Sequence, residues 1–174
     1  MIQQQRVAHL SVFKLFLRIF VAVLLCLGVC TEGVAQCGCT DCRCADSLEL
    51  VKLYQATDST WINKTGWQWA DRRTMPISAW FGVTLTNRRV TKISLDGNQL
   101  KGTLPNLNLS SLQELSLGNN QLSGTIPNFN LPNLQILYLS GGTLSNQFSD
   151  TLPNFNLPNL RSLNVYGNLL TDHE

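Results

Sequence analysis

Apolar residues in the second half of the chain recur with a nearly fixed period. The repeated triplets are Ile93-Ser94-Leu95, Leu115-Ser116-Leu117, Leu137-Tyr138-Leu139 and Leu163-Asn164-Val165, at steps of 22, 22 and 26 residues. In each triplet one residue separates two apolar residues, so in a strand both apolar side chains lie on the same side. The pattern predicts four short strands, each with its apolar side in the core and its middle residue on the opposite face.

Each triplet is followed by two further motifs. The first is a turn that ends in an apolar residue: Asn98-Gln99-Leu100, Asn120-Gln121-Leu122, Gly142-Thr143-Leu144 and Asn168-Leu169-Leu170. The second is a Gly-Thr-[Leu/Ile]-Pro block at 102–105 and 124–127, shortened to Thr-Leu-Pro at 151–153. One such unit cannot bury its own apolar side, whereas stacked neighbours can, so a period in the twenties predicts a solenoid.

The unit L-x-x-L-x-L-x-x-N-x-L-x-G-x-[LI]-P resembles the plant-type leucine-rich repeat, as found in exported bacterial and plant-type extracellular proteins. The flank Trp80-Phe81-Gly82-Val83 resembles that family's N-terminal cap, and the resemblance covers roughly residues 46–174. It implies an α/β solenoid, a right-handed superhelix with short parallel strands on its concave face and a helical, Trp-rich N-terminal cap. It also implies that the turn Asn is buried and bonds the backbone of its neighbour.

The third copy departs from the unit in two respects. Gly142 stands where the resemblance places the turn Asn, so we expect a gap in the Asn series and a weak point there. About four additional residues, placed around 145–150, are expected to form a loop. Between the Pro block and the next copy, Leu107, Phe129 and Phe155 occupy equivalent places and are expected to stack on the convex side.

The segment before the repeats predicts a cap. Asp46 and Glu49 fit a capping box that opens a helix with an apolar face. The Trp residues, all between this helix and the repeats, are Trp61, Trp67, Trp69 and Trp80. We expect them to cover the apolar end of the first repeat. An aromatic platform for carbohydrate is the alternative.

Residues 1–35 have the pattern of an export signal. Basic residues precede an apolar run of 12 residues from Ile19 to Cys30, and Gly33-Val34-Ala35 predicts cleavage before Gln36. An uncleaved membrane anchor or a lipid anchor is the alternative. The predicted organisation is a signal peptide at 1–35, a Cys-rich leader at 36–45, the cap at 46–89, and about four repeats at 90–174, the last incomplete.

The leader holds four cysteines within eight residues, and none follows them. They are Cys37, Cys39, Cys42 and Cys44. In an exported chain such a cluster predicts disulfides, whereas four thiolates could also hold Zn²⁺, or serve a lipid or intermolecular link. We predict disulfides, with no metal and no cofactor. The family's usual staple between the cap's start and its Trp-x-Gly-Val region has no cysteine to complete it.

Charge and motifs exclude several functions. The chain has 13 basic and 11 acidic residues, and three and one of these lie in 1–35, which leaves ten of each. Without a basic stripe, nucleic-acid binding is not expected. The sequence has no Gly-rich phosphate loop and no nucleophile elbow, and His173 is its only histidine after residue 35, so we do not expect an enzyme.

The register of the triplets defines three rows on the concave face. They are Lys92, Glu114, Ile136 and Ser162; Ser94, Ser116, Tyr138 and Asn164; and Asp96, Gly118, Ser140 and Tyr166. Since Tyr is a favoured binding anchor, the predicted ligand site is Tyr138, Asn164 and Tyr166, extended by Glu114, Lys92 and Asp96. The alternative is that these are ordinary strand residues.

The predicted function is an extracytoplasmic module, secreted or at the cell surface, that binds a protein, a peptide or a glycan. Contact with a membrane is expected only through the signal or an anchor. Two alternatives remain: an ectodomain fragment of a larger membrane receptor, and a structural or adhesive component of the cell envelope.

Overall fold

The computed structural model describes residues 44–57, 60–67, 76–142 and 146–171. All of them belong to one compact unit that spans Gly38–Glu174. The predicted signal peptide, the cleavage site and three of the four leader cysteines, Cys37, Cys39 and Cys42, lie outside the described residues. Cys44 begins the first described helix, and its side chain is likewise outside the description.

The described chain contains one α-helix, one short 3₁₀ helix and nine strands. The helix α1 spans Cys44–Ala56 and the 3₁₀ helix spans Ile77–Ala79. The strands are β1 Val83–Thr86, β2 Arg89–Ser94, β3 Lys101–Thr103, β4 Glu114–Ser116, β5 Gln121–Thr125, β6 Ile136–Tyr138, β7 Gln147–Asp150, β8 Ser162–Asn164 and β9 Leu169–Leu170. Within these ranges no helix is long and apolar enough to cross a membrane.

The strands form two sheets, and each repeat contributes one strand to each sheet. The first sheet has the order β1-β2-β4-β6-β8 and the second β3-β5-β7-β9. Every pairing is parallel except that of β1 with β2, a hairpin closed by Asn87 and Arg88, both at positive φ. The predicted solenoid of stacked parallel strands is confirmed, and so is the register that aligns the middle residues Ser94, Ser116, Tyr138 and Asn164.

The core lies between the two sheets and follows the repeated apolar positions. Ile93, Leu115 and Leu137 are fully buried, as are Leu95, Leu117 and Leu139 two residues later. The expected convex stack is also present, since Leu107 and Phe129 are buried and the rings of Phe129 and Phe155 stack at 6.4 Å.

Aromatic rings cover the first repeat, as the sequence predicts. Tyr54, Trp61, Trp67 and Trp80 form a continuous chain with centroid separations of 5.2, 4.9 and 5.2 Å. The three Trp side chains are buried. Buried rings cannot serve as a carbohydrate platform, so the capping interpretation is correct for these three; Trp69 lies outside the described residues.

The predicted capping box is wrong. The helix starts at Cys44, so Asp46 lies within its first turn, and its buried carboxylate accepts hydrogen bonds from Arg89 and from the Val90 N–H. Glu49 instead binds Lys52 and accepts from the Asn108 N–H. The hydrogen bond to Asp46 raises the pKa of Arg89, and this effect outweighs the opposing effect of burial.

Buried Asn side chains join successive repeats, as the resemblance implies. Asn120 accepts from the N–H groups of Asn98 and Leu100 in the repeat before it, each at 3.0 Å. Its amide donates to the carbonyls of Leu95, Leu117 and Gly118. The side chain therefore satisfies five backbone groups of two neighbouring turns.

The expected gap at Gly142 is not present, because Asn146 takes the Asn position of the third repeat. Asn146 is buried, accepts from the Leu122 N–H at 3.0 Å and donates to the carbonyls of Leu117 and Leu139. The fully buried Phe148 then replaces the expected Leu144. The additional residues thus precede Asn146, and 147–150, which were expected to lie in the loop, form β7.

The Gly of the Gly-x-[Leu/Ile]-Pro block occupies a left-handed backbone position. Gly102 has a φ of 98° and Gly124 a φ of 80°. In the third repeat the same position is Asp150, with a φ of 74° and with Oδ1 accepting from the Thr151 N–H at 2.8 Å. Asp is one of the few residues other than Gly that adopt this conformation, so the third repeat can form the same left-handed turn without Gly.

Candidate functional site on the concave face

The candidate site is the solvent-facing side of the first sheet, which we call the concave face. The strand pairings place Lys92 beside Glu114 and Tyr138 beside Asn164. The third row continues past the strands, because the N–H groups of Gly97, Asn119 and Gly141 donate to Gly118, Ser140 and Tyr166. The structure therefore places all six predicted site residues on one face, in the predicted order.

The N-terminal half of this face is occupied by its own side chains. Lys92 Nζ lies 2.8 Å from Glu114 Oε1 across neighbouring strands. Asp96 Oδ1 accepts from Ser116 Oγ at 2.8 Å and from the Gly118 N–H at 2.7 Å. Both charged groups of the pair, and one oxygen of Asp96, are thus already engaged within the sheet.

The backbone at Gly118 packs closely against its neighbours, between the N-terminal and C-terminal halves of the concave face. A Cβ built on it would lie 3.0 Å from Asp96 Oδ1 and 3.2 Å from the Ser140 carbonyl oxygen. The backbone at this point must approach the Asp96 carboxylate closely enough to donate its N–H. A side chain there would therefore require Asp96, which accepts hydrogen bonds from Ser116 and Gly118, to shift by a few tenths of an ångström.

The C-terminal half exposes aromatic rings. Tyr138 is 37% exposed and Tyr166 is 82% exposed. Ser162 Oγ donates to the Tyr138 hydroxyl at 3.3 Å, and the Tyr166 N–H donates to Asn164 Oδ1 at 3.1 Å. The two rings and the Asn164 amide, exposed beside Tyr138 on the next strand, form a patch that we call the tyrosine patch.

The repeat pattern places Leu163 in the core, yet the structure exposes it. Leu163 is 41% exposed, whereas its equivalents Ile93, Leu115 and Leu137 are fully buried. Leu169, in β9, is 63% exposed. Both belong to the fourth repeat, beyond which no further strand joins either sheet among the described residues. Periodicity identifies an apolar position but does not say whether a neighbour covers it.

The described ranges contain no group of three or more His, Cys, Asp or Glu side chains that could hold a metal ion. The acidic residues of the concave face are instead paired with Lys92 or with Ser and backbone donors. Among the described residues, the chemistry of this face is that of hydrogen bonding and aromatic contact.

Comparison with known proteins identifies the fold. A family model described as leucine-rich repeats in two copies matches residues 110–150. The chain is similar to the ectodomain of the plant membrane receptor kinase GASSHO1/SCHENGEN3 from Arabidopsis thaliana in complex with Casparian strip integrity factor 2. That match has 30% identity and a TM-score of 0.63, and it covers 72% of this chain and 15% of that one.

Two further solved structures are similar. One is PEPR1–AtPEP1, with 30% identity and a TM-score of 0.61, covering 73% of this chain and 18% of that one. The other is the ectodomain of the receptor kinase SOBIR1 from Arabidopsis thaliana, with 26% identity, a TM-score of 0.56 and coverage of 75% and 70%. The chain spans less than a fifth of the first two matched chains. The comparison with curated protein sequences found no relative.

The stacked parallel strands, the buried Asn series and these matches define a leucine-rich repeat protein. Its repeats are of the plant type, with the Gly-x-[Leu/Ile]-Pro block at the left-handed turn after the buried Asn98 and Asn120, and with Asp150 in the place of Gly after Asn146.

Proposed function

We propose that this leucine-rich repeat protein is an extracytoplasmic binding module that takes a protein or peptide segment on the tyrosine patch. The observation that carries the proposal is the asymmetry of the concave face. Its N-terminal half is engaged in internal contacts through Lys92, Glu114 and Asp96, whereas Tyr138 and Tyr166 are exposed in its C-terminal half. Exposed Tyr side chains are enriched among the residues that dominate binding energy.

The size of the face favours a short ligand. Four strands at ~4.8 Å spacing extend over ~14 Å from the first to the last, which matches about four residues of an extended chain at ~3.3 Å each. Such a contact is smaller than a standard protein–protein interface. The amide of Asn164 provides both a donor and an acceptor for the ligand's backbone, and the rings provide apolar contact.

Two observations support placing the module outside the cytoplasm. The similar structures of GASSHO1/SCHENGEN3 and SOBIR1 are receptor ectodomains. The sequence of 1–35 has the pattern of an export signal, and a cysteine cluster follows it. Mass spectrometry of the native protein tests this location, with Gln36 as the expected first residue.

A segment of a larger receptor ectodomain is the second candidate. It is favoured because the chain matches only part of the GASSHO1/SCHENGEN3 and PEPR1 structures. An immunoblot of the native protein distinguishes the two candidates, because a product much larger than the 19.4 kDa of this chain supports the receptor. The predicted binding residues are the same in both.

The proposed site is tested by comparing variants in one row of the sheet. A peptide array and a glycan array on the purified protein first identify the ligand class. Tyr138→Ala is then compared with Ser94→Ala, which lies in the same row on β2. We expect Tyr138→Ala to weaken binding of the array-selected peptide by ~10-fold or more and Ser94→Ala to leave it unchanged. Equal affinities with a shift only in melting temperature would show that the patch is structural, and binding to glycans alone would replace the peptide by a sugar.

A further inference from the structure

Two backbone hydrogen bonds fix the turn that carries Tyr166 to the third repeat. The Leu139 N–H donates to the Asn164 carbonyl at 2.8 Å. The Gly141 N–H donates to the Tyr166 carbonyl, also at 2.8 Å. Both carbonyls continue the series of parallel backbone hydrogen bonds that joins successive repeats. The exposed Tyr166 ring therefore extends from a backbone that the preceding repeat holds in place.

The residues on either side of Tyr166 are held as well. Gly167 has a φ of 72°, and a Cβ built on it would lie 2.7 Å from the Gly141 carbonyl oxygen, so its backbone packs directly against the third repeat. The Val165 carbonyl, on the other side of Tyr166, accepts from Asn168 Nδ2 at 2.8 Å. Tyr166 thus lies between two residues whose backbone has little freedom.

The N–H of Tyr166 has a different kind of partner, which is the side chain of Asn164. Asn164 Oδ1 accepts from this N–H at 3.1 Å. Because a backbone N–H is a donor, only the carbonyl oxygen of the side-chain amide can face it, and the two Nδ2 donors remain for a ligand. The exposed Asn164 side chain is therefore tied to the backbone from which the Tyr166 ring extends.

The equivalent position of the second repeat is held in a similar way. Gly118 corresponds to Tyr166 in the third row, and its N–H donates to Asp96 Oδ1 at 2.7 Å. In both repeats a polar side chain of the concave face supplies the acceptor for this N–H. At Gly118 the acceptor holds backbone alone, whereas at Tyr166 it holds a residue whose side chain is 82% exposed. The bond from Asn164 therefore bears on the tyrosine patch itself.

We propose that Asn164 is a positioning residue of the tyrosine patch, because its Oδ1 fixes the turn that carries Tyr166. The inference rests on the proposed binding function of this patch. Ordering a backbone and its side chain on binding costs free energy, so a contact that orders them beforehand strengthens binding. Asn164 accordingly contributes to affinity through Tyr166, in addition to any contact that its own amide makes with the ligand.

Hydrogen exchange of the Tyr166 N–H, measured by NMR on the purified full chain, tests the fixed turn without a ligand. We expect Asn164→Ala to speed this exchange by ~5-fold, which corresponds to the loss of one ordinary hydrogen bond. Asn164→Asp keeps an oxygen at the same place and should retain the protection. Ser94→Ala, in the same row on β2, is the control and should leave the exchange unchanged. Unchanged exchange in Asn164→Ala would overturn the proposal, and so would equally fast exchange in Asn164→Ala and Asn164→Asp.

A double-mutant cycle tests whether this order contributes to binding, with the array-selected peptide as the probe. If Asn164 acts through Tyr166, the affinity loss of the double variant Asn164→Ala/Tyr166→Ala falls short of the product of the two single losses by ~3-fold or more. Tyr138→Ala combined with Tyr166→Ala is the control and should give the plain product. A plain product for Asn164 and Tyr166 as well would overturn the proposal. If no peptide on the array binds, the proposed function fails, and hydrogen exchange still decides whether Asn164 fixes Tyr166.

Discussion

Asp46 in α1 and Arg89 in β2 form a paired ionic contact that connects the cap to the first repeat. Arg89 Nε and Nη2 donate to the two carboxylate oxygens, each at 2.9 Å, and the Val90 N–H donates to Oδ2 at 3.0 Å. The Asp46 side chain is buried, while that of Arg89 is 22% exposed. The buried carboxylate therefore has three donors from a strand 43 residues away in sequence.

The first prediction is that Asp46→Ala destabilises the protein by ~3 kcal/mol, because it removes the buried partner of an ion pair. The Val90 N–H then loses its acceptor, and Arg89 loses two carboxylate hydrogen bonds and keeps the one to Ser110 Oγ at 3.2 Å. Lys52→Ala is the control, since the Lys52 side chain is exposed. Its pair with Glu49 at 3.3 Å and its hydrogen bond to the Asn106 carbonyl are together expected to contribute about 1 kcal/mol. Urea unfolding of both variants measures the difference. Similar losses in the two variants would show that the cap is not held by Asp46.

The second prediction concerns the Asn series. Asn146→Ala and Asn120→Ala should each destabilise the protein by ~2–4 kcal/mol, because each leaves several buried backbone groups without partners at ~1–3 kcal/mol per group. Asn130→Ala, at an exposed position outside the helices and strands, should cost less than ~0.5 kcal/mol. Thermal or urea unfolding is the measurement. A neutral Asn146→Ala would mean that the third repeat has the gap that the position of Gly142 had led us to expect.

The third prediction ranks substitutions at the left-handed turns. Gly124→Ala should cost ~1–2 kcal/mol, chiefly from backbone strain at positive φ, because the tight contact of its Cβ at 3.2 Å from Thr103 Cγ2 needs only a small shift of that side chain. Gly102→Ala should cost more, since its Cβ would also collide with the Ala56 carbonyl oxygen at the end of α1. Equilibrium unfolding gives the order. A smaller loss at Gly102 than at Gly124 would contradict the close approach of helix and first repeat.

Most of this fold is predictable from the sequence because each repeat has the same spacing of apolar residues. The spacing of Ile93 and Leu95, repeated three times, predicts a buried strand face at each copy. The structure buries that face in the first three copies and pairs all four strands in the predicted register. The clustering of Trp residues before the first strand likewise indicates a cover for an apolar end. Both are local patterns whose consequence is fixed by periodicity and burial.

In the third repeat the sequence pattern predicts the wrong residue at the position of the turn Asn. Counting from the triplet places Gly142 at the Asn position, but the backbone lengthens the turn and brings Asn146 to the same place. Asn146-Gln147-Phe148 matches the Asn-Gln-Leu of the earlier repeats, and the step of 26 residues between the last two triplets was the available signal. Alignment on the Asn residues, rather than on the strands, would have located the extra residues before Asn146.

The sequence also does not identify which residues contact one another in the candidate site. The charged residues Lys92, Glu114 and Asp96 are of types that often bind ligands. In the structure Lys92 pairs with Glu114, and Asp96 accepts from the Ser116 hydroxyl and from the Gly118 N–H of the next repeat. The bond from Asp46 to Arg89 joins residues 43 positions apart, so a local motif cannot identify it, and the local sequence predicts a capping box instead. Nothing in a single sequence states which partner a charged residue finds across the fold.

The last prediction distinguishes the two halves of the concave face by measuring stability and ligand affinity separately. Asp96→Ala should lower stability by ~1–3 kcal/mol, because the buried Ser116 hydroxyl and the Gly118 N–H lose their acceptor. It should leave affinity for the array-selected ligand unchanged once the protein is folded. Tyr166→Ala should do the opposite. Its side chain is 82% exposed, so truncation should change stability by less than ~0.5 kcal/mol and weaken binding by ~10-fold or more. Urea unfolding and isothermal titration on the same preparations provide both readouts. Loss of binding in Asp96→Ala with Tyr166→Ala unaffected would move the site to the N-terminal half of the face, where the Asp96 carboxylate would then be the ligand-binding group.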